Sequence, residues 1–542
     1  MKQIKTLQKR SFIWSLFLCL SISSVQGQHF DWAQSIGGLG LDVGRAITTD
    51  DEGNVLVVGS FTGSTQIADT FLTGSGSMES FVAKFTSEGE FLWANVITGP
   101  AEDMARGVET DNLGNVYVVG HFTDTVVFMI TDNDTMAAKS EGMQDVFVVK
   151  YSPDGTVLWH LTGGGLGNDT GTDIARYPWS GKLYVCGGFE KRAKFGTATI
   201  LSNGLTDAFV MKVDPDGNAH WIQNGGGLEH DIAASIAVDQ TNESIYIVGD
   251  FYDQALFDGT TLQALGSSDM FLAKYQEDGS MDWVRTNGGT TVDVATGVGT
   301  DLNGHVYVAG YYQGTTFFQD FSTSALSYND VFISQFDGDG TCNWLRSAGS
   351  YGLDNCLGLA VDWDGSTYLT GLFEDLIVAD GDSTVGDGYD IFVLNYSPEG
   401  QIRYSRKAGA GSADIGMAAC LGPDQSLYIT GYYYFFAEFD QTTIGAADHG
   451  DCFVARMTDI LGIEELAVTA AENCLNYNIR HNQVTAECFS KAQWSIRNVL
   501  GQVVATGQFN GGSVDVSILK SDVYYITMES DFKRQTIPIV IP

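Results

Sequence analysis

From Phe30 to Met457 the chain alternates short runs rich in Val, Ile, Phe and Tyr with clusters of Gly and Asp. That is the pattern of buried strands joined by tight turns. The first stretch shows the unit. "GRAITTD" ends at the turn "DDEGN"; "VLVVGSF" follows, then a longer connection, then "SFVAKF", the turn "TSEGE" and "FLWANVI". No window here carries a sustained helical period with caps. The unit recurs at about 61 residues, anchored at Trp32, Trp93, Trp159, Trp221, Trp283, Trp344 and Tyr404. Ten residues after each anchor stands an aspartate: Asp42, Asp103, Asp169, Asp231, Asp293, Asp354 and Asp414. A second acid, Glu79, Asp145, Asp207, Asp269, Asp330, Asp390 or Asp451, precedes a Phe by two residues in every repeat. Self-similarity at this period, with four strands per unit, predicts an all-β fold: a seven-bladed β-propeller with four-stranded blades over residues 28–457.

The phase of the repeat predicts how the ring closes. The chain enters at "HFDWAQSIGG", the fourth strand of a blade whose other three are missing, and leaves at "DCFVARM", a third strand with no fourth. The N-terminal strand is therefore expected to complete the last blade and remove the free edges. Small residues at alternate positions of each first strand, such as Gly44 and Ala46 or Ala105 and Gly107, mark these strands as innermost. The 65 glycines fall largely at recurrent turns, where close approach or φ > 0 is needed.

"DVFVVKYSPDGTVLW", "DMFLAKYQEDGSMDW" and "NVYVVGHF" resemble SBBP-type bacterial β-propeller repeats. The resemblance covers Phe30 to Met457. It implies the propeller fold and brings no catalytic motif.

The ends read differently. Lys2, Lys5, Lys9 and Arg10 precede the apolar "FIWSLFLCLSISSV", and Val25-Gln26-Gly27 fits a small-residue cleavage site, so residues 1–27 are expected to be a secretory signal peptide. Its apolar stretch is short for a membrane span, and none is expected in the mature chain. Residues 458–542 lack the anchors and read as a small C-terminal β-sandwich. The order of "WSIRNVLGQVV", "SVDVSIL" and "VYYITM" resembles the C-terminal sorting domain of type IX secretion substrates. That resemblance implies the type IX machinery as a partner and a secreted or outer-membrane cell-surface location. An Asn-Pro near the start and a Gly before the Tyr strand, usual in that family, are absent. Without the resemblance the tail is an accessory sandwich.

The formal charge of −39, from 67 acidic and 28 basic residues, argues against nucleic acid and anionic membrane as partners. Of the eight cysteines, seven lie beyond residue 27, with no CxxC; Cys474 and Cys488 could pair in the tail. A monomer is expected.

Candidate chemistry belongs on the face that carries the "GGxxxxD" connections and the long loops, because binding functions sit on variable loops held by a rigid scaffold. Two acidic rings are expected there. Either each Asp holds its own loop by accepting backbone N–H groups, or the carboxylates attract Ca²⁺ or cationic ligands. The turns at Asp214, Asp337 and Asp362 lack the further ligands of a Ca²⁺ loop and read as turns. The irregular segments "DNDT", with Asp132 and Asp134, and "DGDSTVGDGYD", with Asp380 and Asp382, are the local candidates for a bound Ca²⁺; otherwise no cofactor is expected. The residue between Gly and Phe/Tyr breaks the symmetry, as Ser60, His121, Gly188, Asp250, Tyr311, Leu372 and Tyr432. His121, Asp250, Tyr311, Tyr432 and Tyr434 are the candidate ligand-binding residues, suited to a glycan or protein ligand. No HExxH, GxSxG, P-loop or zinc pattern occurs. The sequence thus favours a binding or scaffolding, adhesion-like module without catalytic residues. The alternative is a secreted polysaccharide-active hydrolase or lyase with its site on the long-loop face.

Overall fold

The computed structural model describes residues 28–131, 134–447 and 449–458 and, beyond them, seven strands between 475 and 541. All described regular structure is β. The chain divides into His29–Thr458 and a second compact unit that holds the C-terminal strands.

In the first unit each repeat is an antiparallel meander. The first meander runs Val43–Thr49, Val55–Ile67, Thr70–Phe85 and Phe91–Thr98, each paired with the next. The following meanders open with Asp103–Thr110, Thr170–Arg176, Asp231–Val238, Asp293–Thr300 and Asn355–Val361. The last comprises Ile415–Leu421, Leu427–Tyr433 and Asp451–Thr458, and its fourth strand is His29–Gly38 from the other end of the chain. First strands pack on first strands in sequence order, and Ile415–Leu421 returns to pack on Val43–Thr49.

Each meander has neighbours on both faces, so its second strand has no solvent side. Ile245–Val248 and Phe251 are fully buried for that reason. The core lies between meanders. Tyr184, Cys186 and Val210 of the third pack on Ala233, Ile247 and Phe271 of the fourth.

The Trp anchors join consecutive meanders. Trp93 Nε1 donates to Pro153 O at 3.0 Å, Trp159 to Pro215 O at 3.0 Å, and Trp344 to Pro398 O at 3.0 Å. Each acceptor lies in the turn between the third and fourth strands of the next meander. The Gly of that turn lies on the indole. A Cβ on Gly217, where φ is 87°, would meet the Trp159 ring at 2.8 Å. Trp32 makes the same bond to Ser87 O at 3.1 Å, which ties the shared last meander to the first. Tyr404 faces a different situation. The last meander joins Asp451–Thr458 to His29–Gly38 by strand pairing between the two ends of the unit.

The second unit contains a three-stranded antiparallel sheet, Leu475–Asn478, Gln483–Ala486 and Ser513–Asp515. Its four-stranded sheet runs in the order Val503–Phe509, Ala492–Asn498, Asp522–Ser530, Lys533–Ile541.

Candidate functional site

The two acidic positions of the repeat form pairs. Asp145 lies against Asp169, and Asp390 against Asp414, with one glycine between them. A Cβ on Gly409 would fall 2.8 Å from both Asp390 Oδ1 and Asp414 Oδ2. Backbone amides hold one side of each pair. Asp169 accepts from Gly165 N at 2.7 Å and Glu190 N at 3.2 Å. Asp231 accepts from Gly227 N and Tyr252 N, Asp354 from Ser350 N and Glu374 N, and Asp414 from Ala410 N and Tyr434 N. Asp42 and Asp293 accept from Gly38 N and Gly289 N.

All these carboxyls are buried. Burial, reinforced by the partner acid, pushes Asp42, Asp169, Asp231, Asp354 and Asp414 up to about 7 and Asp293 to about 6. Burial raises Asp145, Asp207, Asp269 and Asp390 as well. Asp269 Oδ1 and Asp293 Oδ1 are buried without a hydrogen-bond partner. A proton shared between two such acids meets the demand of both, since two adjacent carboxylates cannot both stay ionised in a buried site. One pair differs. Gly99 N donates to Glu79 Oε2 at 3.1 Å instead of to Asp103. The longer Glu side chain takes the amide, both Asp103 oxygens are left unpartnered, and burial with the Glu79 charge pushes Asp103 to about 8.

The symmetry breaks at the inner wall. Every first strand carries a β-bulge at one equivalent position, which turns one side chain out of the ladder. The bulged residues are Arg45, Arg106, Thr172, Ala234, Thr296, Leu357 and Met417. Arg45, Arg106, Ala234, Thr296 and Met417 each lie between two small residues of the innermost strand, whereas Thr172 is followed by Asp173. Sequence reasoning passed over them; the signal was a charge between two small residues in a strand read as close-packed.

Arg45 Nε donates to Ser60 Oγ at 3.1 Å, and Arg106 Nε to His121 Nδ1 at 3.4 Å. That bond requires His121 to be unprotonated at Nδ1. Burial, then the Arg106 and Arg45 charges, hold the His121 pKa below its ordinary value against the pull of Glu102. Glu102 stands 3.8 Å from His121 Nε2. Tyr432 lies within the field of Arg45 and stacks edge-on with Tyr434, centroids 5.9 Å apart. The structure therefore brings His121, Tyr432 and Tyr434 into one sector, around arginines the sequence did not single out. Asp250 and Tyr311 neighbour each other in a separate sector, where burial pushes Asp250 to about 6.

Around the same end, three residues before an inner-ring Asp, stand Leu39, Leu166, Leu228 and Tyr351, all exposed; Leu228 is 73 % exposed. Between the second and third meanders a crevice of about 460 Å³ is lined by Glu141, Leu166, Lys191, Arg192 and Lys194, among others.

The remaining candidates lie elsewhere. Asp380 and Gly381, with φ of 48° and 95°, form a two-residue hairpin turn. Asp380 stands 3.7 Å from Arg346, while Asp382 accepts from Ser405 N at 2.8 Å and Ser405 Oγ at 3.0 Å. Asp132 lies outside the described residues, and Asp134 begins the strand Asp134–Tyr151. Among the described residues no cluster of three or more His, Cys, Asp or Glu could hold a metal ion, and no helix is long and apolar enough to cross a membrane. Asp214 accepts Asp216 N and Asn218 N, the bonds of an Asx turn. Cys186, Cys342, Cys356, Cys420 and Cys452 are free thiols. The pairing of Cys474 with Cys488 lies outside the described residues.

No family model matches the chain. An uncharacterized WD repeat-containing protein of Acanthamoeba polyphaga mimivirus is 24% identical over 424 residues, 64% of this chain and 30% of that protein. The regulatory protein FlaEY of Caulobacter vibrioides is 27% identical over 345 residues, 58% of this chain and 34% of that one. The chain thus spans about a third of the length of the curated relatives it matches. Among solved structures, Chaetomium thermophilum Sqt1 bound to the N-terminus of a ribosomal protein aligns at 12% identity with a TM-score of 0.35, over 73% of this chain and 84% of that one. The likeness to a WD repeat-containing protein agrees with the meanders: the fold is a WD-repeat-like β-propeller.

Proposed function

We propose that this chain is a secreted or cell-surface scaffold whose long-loop face docks a protein partner. In this reading the meanders are seven blades of one ring, closed by His29–Gly38. The observation that carries it is the exposed apolar crown of Leu39, Leu166, Leu228 and Tyr351 around an asymmetric channel mouth. Large apolar side chains recurring in solvent at one place of four of the seven repeats have no role in the core, and exposed apolar surface of this kind marks docking sites. The module needs no cofactor in this role. Propellers of this architecture serve as rigid platforms whose loops supply the specificity.

Export rests on the residues alone. The basic start and apolar run of residues 1–27 support a signal peptide, and the strand motifs of residues 458–542 support a type IX sorting sandwich. The SBBP-like repeats fit the same setting.

The test is a photo-crosslinking amino acid placed at Leu228, and separately at Leu113 in a turn of the opposite face, in the cell that makes the protein. A protein adduct at Leu228 and none at Leu113 is the expected result. Adducts at both positions alike, or at Leu113 alone, would refute a docking role for this face.

A further inference from the structure

We propose that Arg45 and Arg106 form a carboxylate-binding site at the channel mouth, which captures one acidic side chain of a protein partner held on the apolar crown. The inference rests on the docking reading above and adds the chemistry of its ligand.

Of the bulged residues on the inner wall, only these two are charged, and their strands, Val43–Thr49 and Asp103–Thr110, pack on each other. Each guanidinium is fixed through Nε, Arg45 by Ser60 and Arg106 by His121. Among the described residues the terminal nitrogens of both have no hydrogen-bond partner. Two like charges thus stand together at a half-buried place. Burial, then the Arg45 charge, pushes the Arg106 pKa down to about 10. Among the described residues Glu102 is the carboxylate whose field reaches both arginines, and His121, which accepts from Arg106 at Nδ1, is a neutral imidazole there, so the site keeps one net positive charge. Nothing in the fold requires this arrangement, since the other five meanders place Thr, Ala, Leu or Met there.

One missing negative charge and two pre-set planar donors match a carboxylate, which guanidinium groups bind bidentately. A polyanion fits poorly, because the chain carries −39 and repels a dense negative charge at long range. A single acid flanked by apolar residues approaches more easily. Leu39, beside Asp42, and the Tyr432–Tyr434 pair offer apolar surface for those flanks.

The experiment selects random dodecapeptides on the full chain and measures affinity by fluorescence polarisation. Selected peptides should carry Asp or Glu at one position beside apolar residues. Arg106→Gln, or Arg45→Gln, should weaken them about 10–100-fold, the scale of a lost charge-assisted hydrogen bond. Replacing the peptide acid by its amide should do the same to the parent and little to the Arg45→Gln/Arg106→Gln variant. Unchanged melting of the variants shows that the fold is intact; if Gln is not tolerated, Arg→Lys keeps the charge and tests the planar donors. Peptides selected without an acidic position, or bound equally by the double variant, overturn the arginine site and leave the docking reading standing. Arginine-dependent binding of trigalacturonate in place of any peptide overturns both.

Discussion

The indole N–H of Trp159 donates to Pro215 O at 3.0 Å, and Gly217 lies on the same ring. Two changes separate the bond from the packing. Trp159→Phe removes the donor and part of the ring, and should cost about 1–2 kcal/mol. Gly217→Ala places a Cβ 2.8 Å from the ring at a φ of 87°, and should cost more, about 2–4 kcal/mol. Urea melts of both variants check the order. The anchors are legible in the sequence because they recur at a fixed spacing. What they hold is not legible, because the acceptor belongs to the next repeat and is a backbone carbonyl of no fixed residue type: Ser87, Pro153 or Glu277. The substitution of Tyr404 at the last anchor is visible in the sequence.

At the level of the elements, the acid pairs set an unusual pH response. Burial moves Asp42, Asp103, Asp169, Asp231, Asp293, Asp354 and Asp414 from an ordinary 3.8 to about 6–8. The folded state then binds more protons than the unfolded state between these values, so stability falls as pH rises. The contribution is full below about pH 4 and is lost as pH climbs through 7. Turn carboxylates act the other way: burial pushes Asp214 up, but bonds from Asn218 outweigh it and hold it at about 2. Melting temperature should therefore peak in mild acid and decline towards pH 8; a rise from pH 5 to pH 8 would contradict shared protons. Asp207→Asn should flatten that decline, since an amide beside Asp231 donates at every pH. Its melting profile against that of the parent is the measurement. Each acid is readable as a repeat. Their pairing is not, because a third strand and the following first strand meet through a register that sequence spacing alone does not reveal. The arginine bulges escaped for a related reason: a bulge adds one residue without disturbing the period of the repeat.

For the whole molecule, the consequential junction is the pairing of His29–Gly38 with Asp451–Thr458. Deleting residues 29–38 removes Trp32 and its bond to Ser87, buried Phe30 and Ile36, and an entire fourth strand. The exposed edge of Asp451–Thr458 then becomes a template for association. Size-exclusion chromatography should show oligomers, and cooperative melting should be lost; a monomer with parental melting would refute the closure.

The same junction sets a timetable for biosynthesis. Ser35 bonds Tyr433, 398 residues further along the chain. At about 5–20 residues per second, the ribosome needs roughly 20–80 s to deliver the second partner after the first. Throughout that interval the first meander is available to Trp32 and Ile36, but His29–Gly38 lacks the strand it pairs with along most of its length. The growing chain must be kept from pairing that strand elsewhere, by a chaperone or by holding it back, for most of the time it takes to be made.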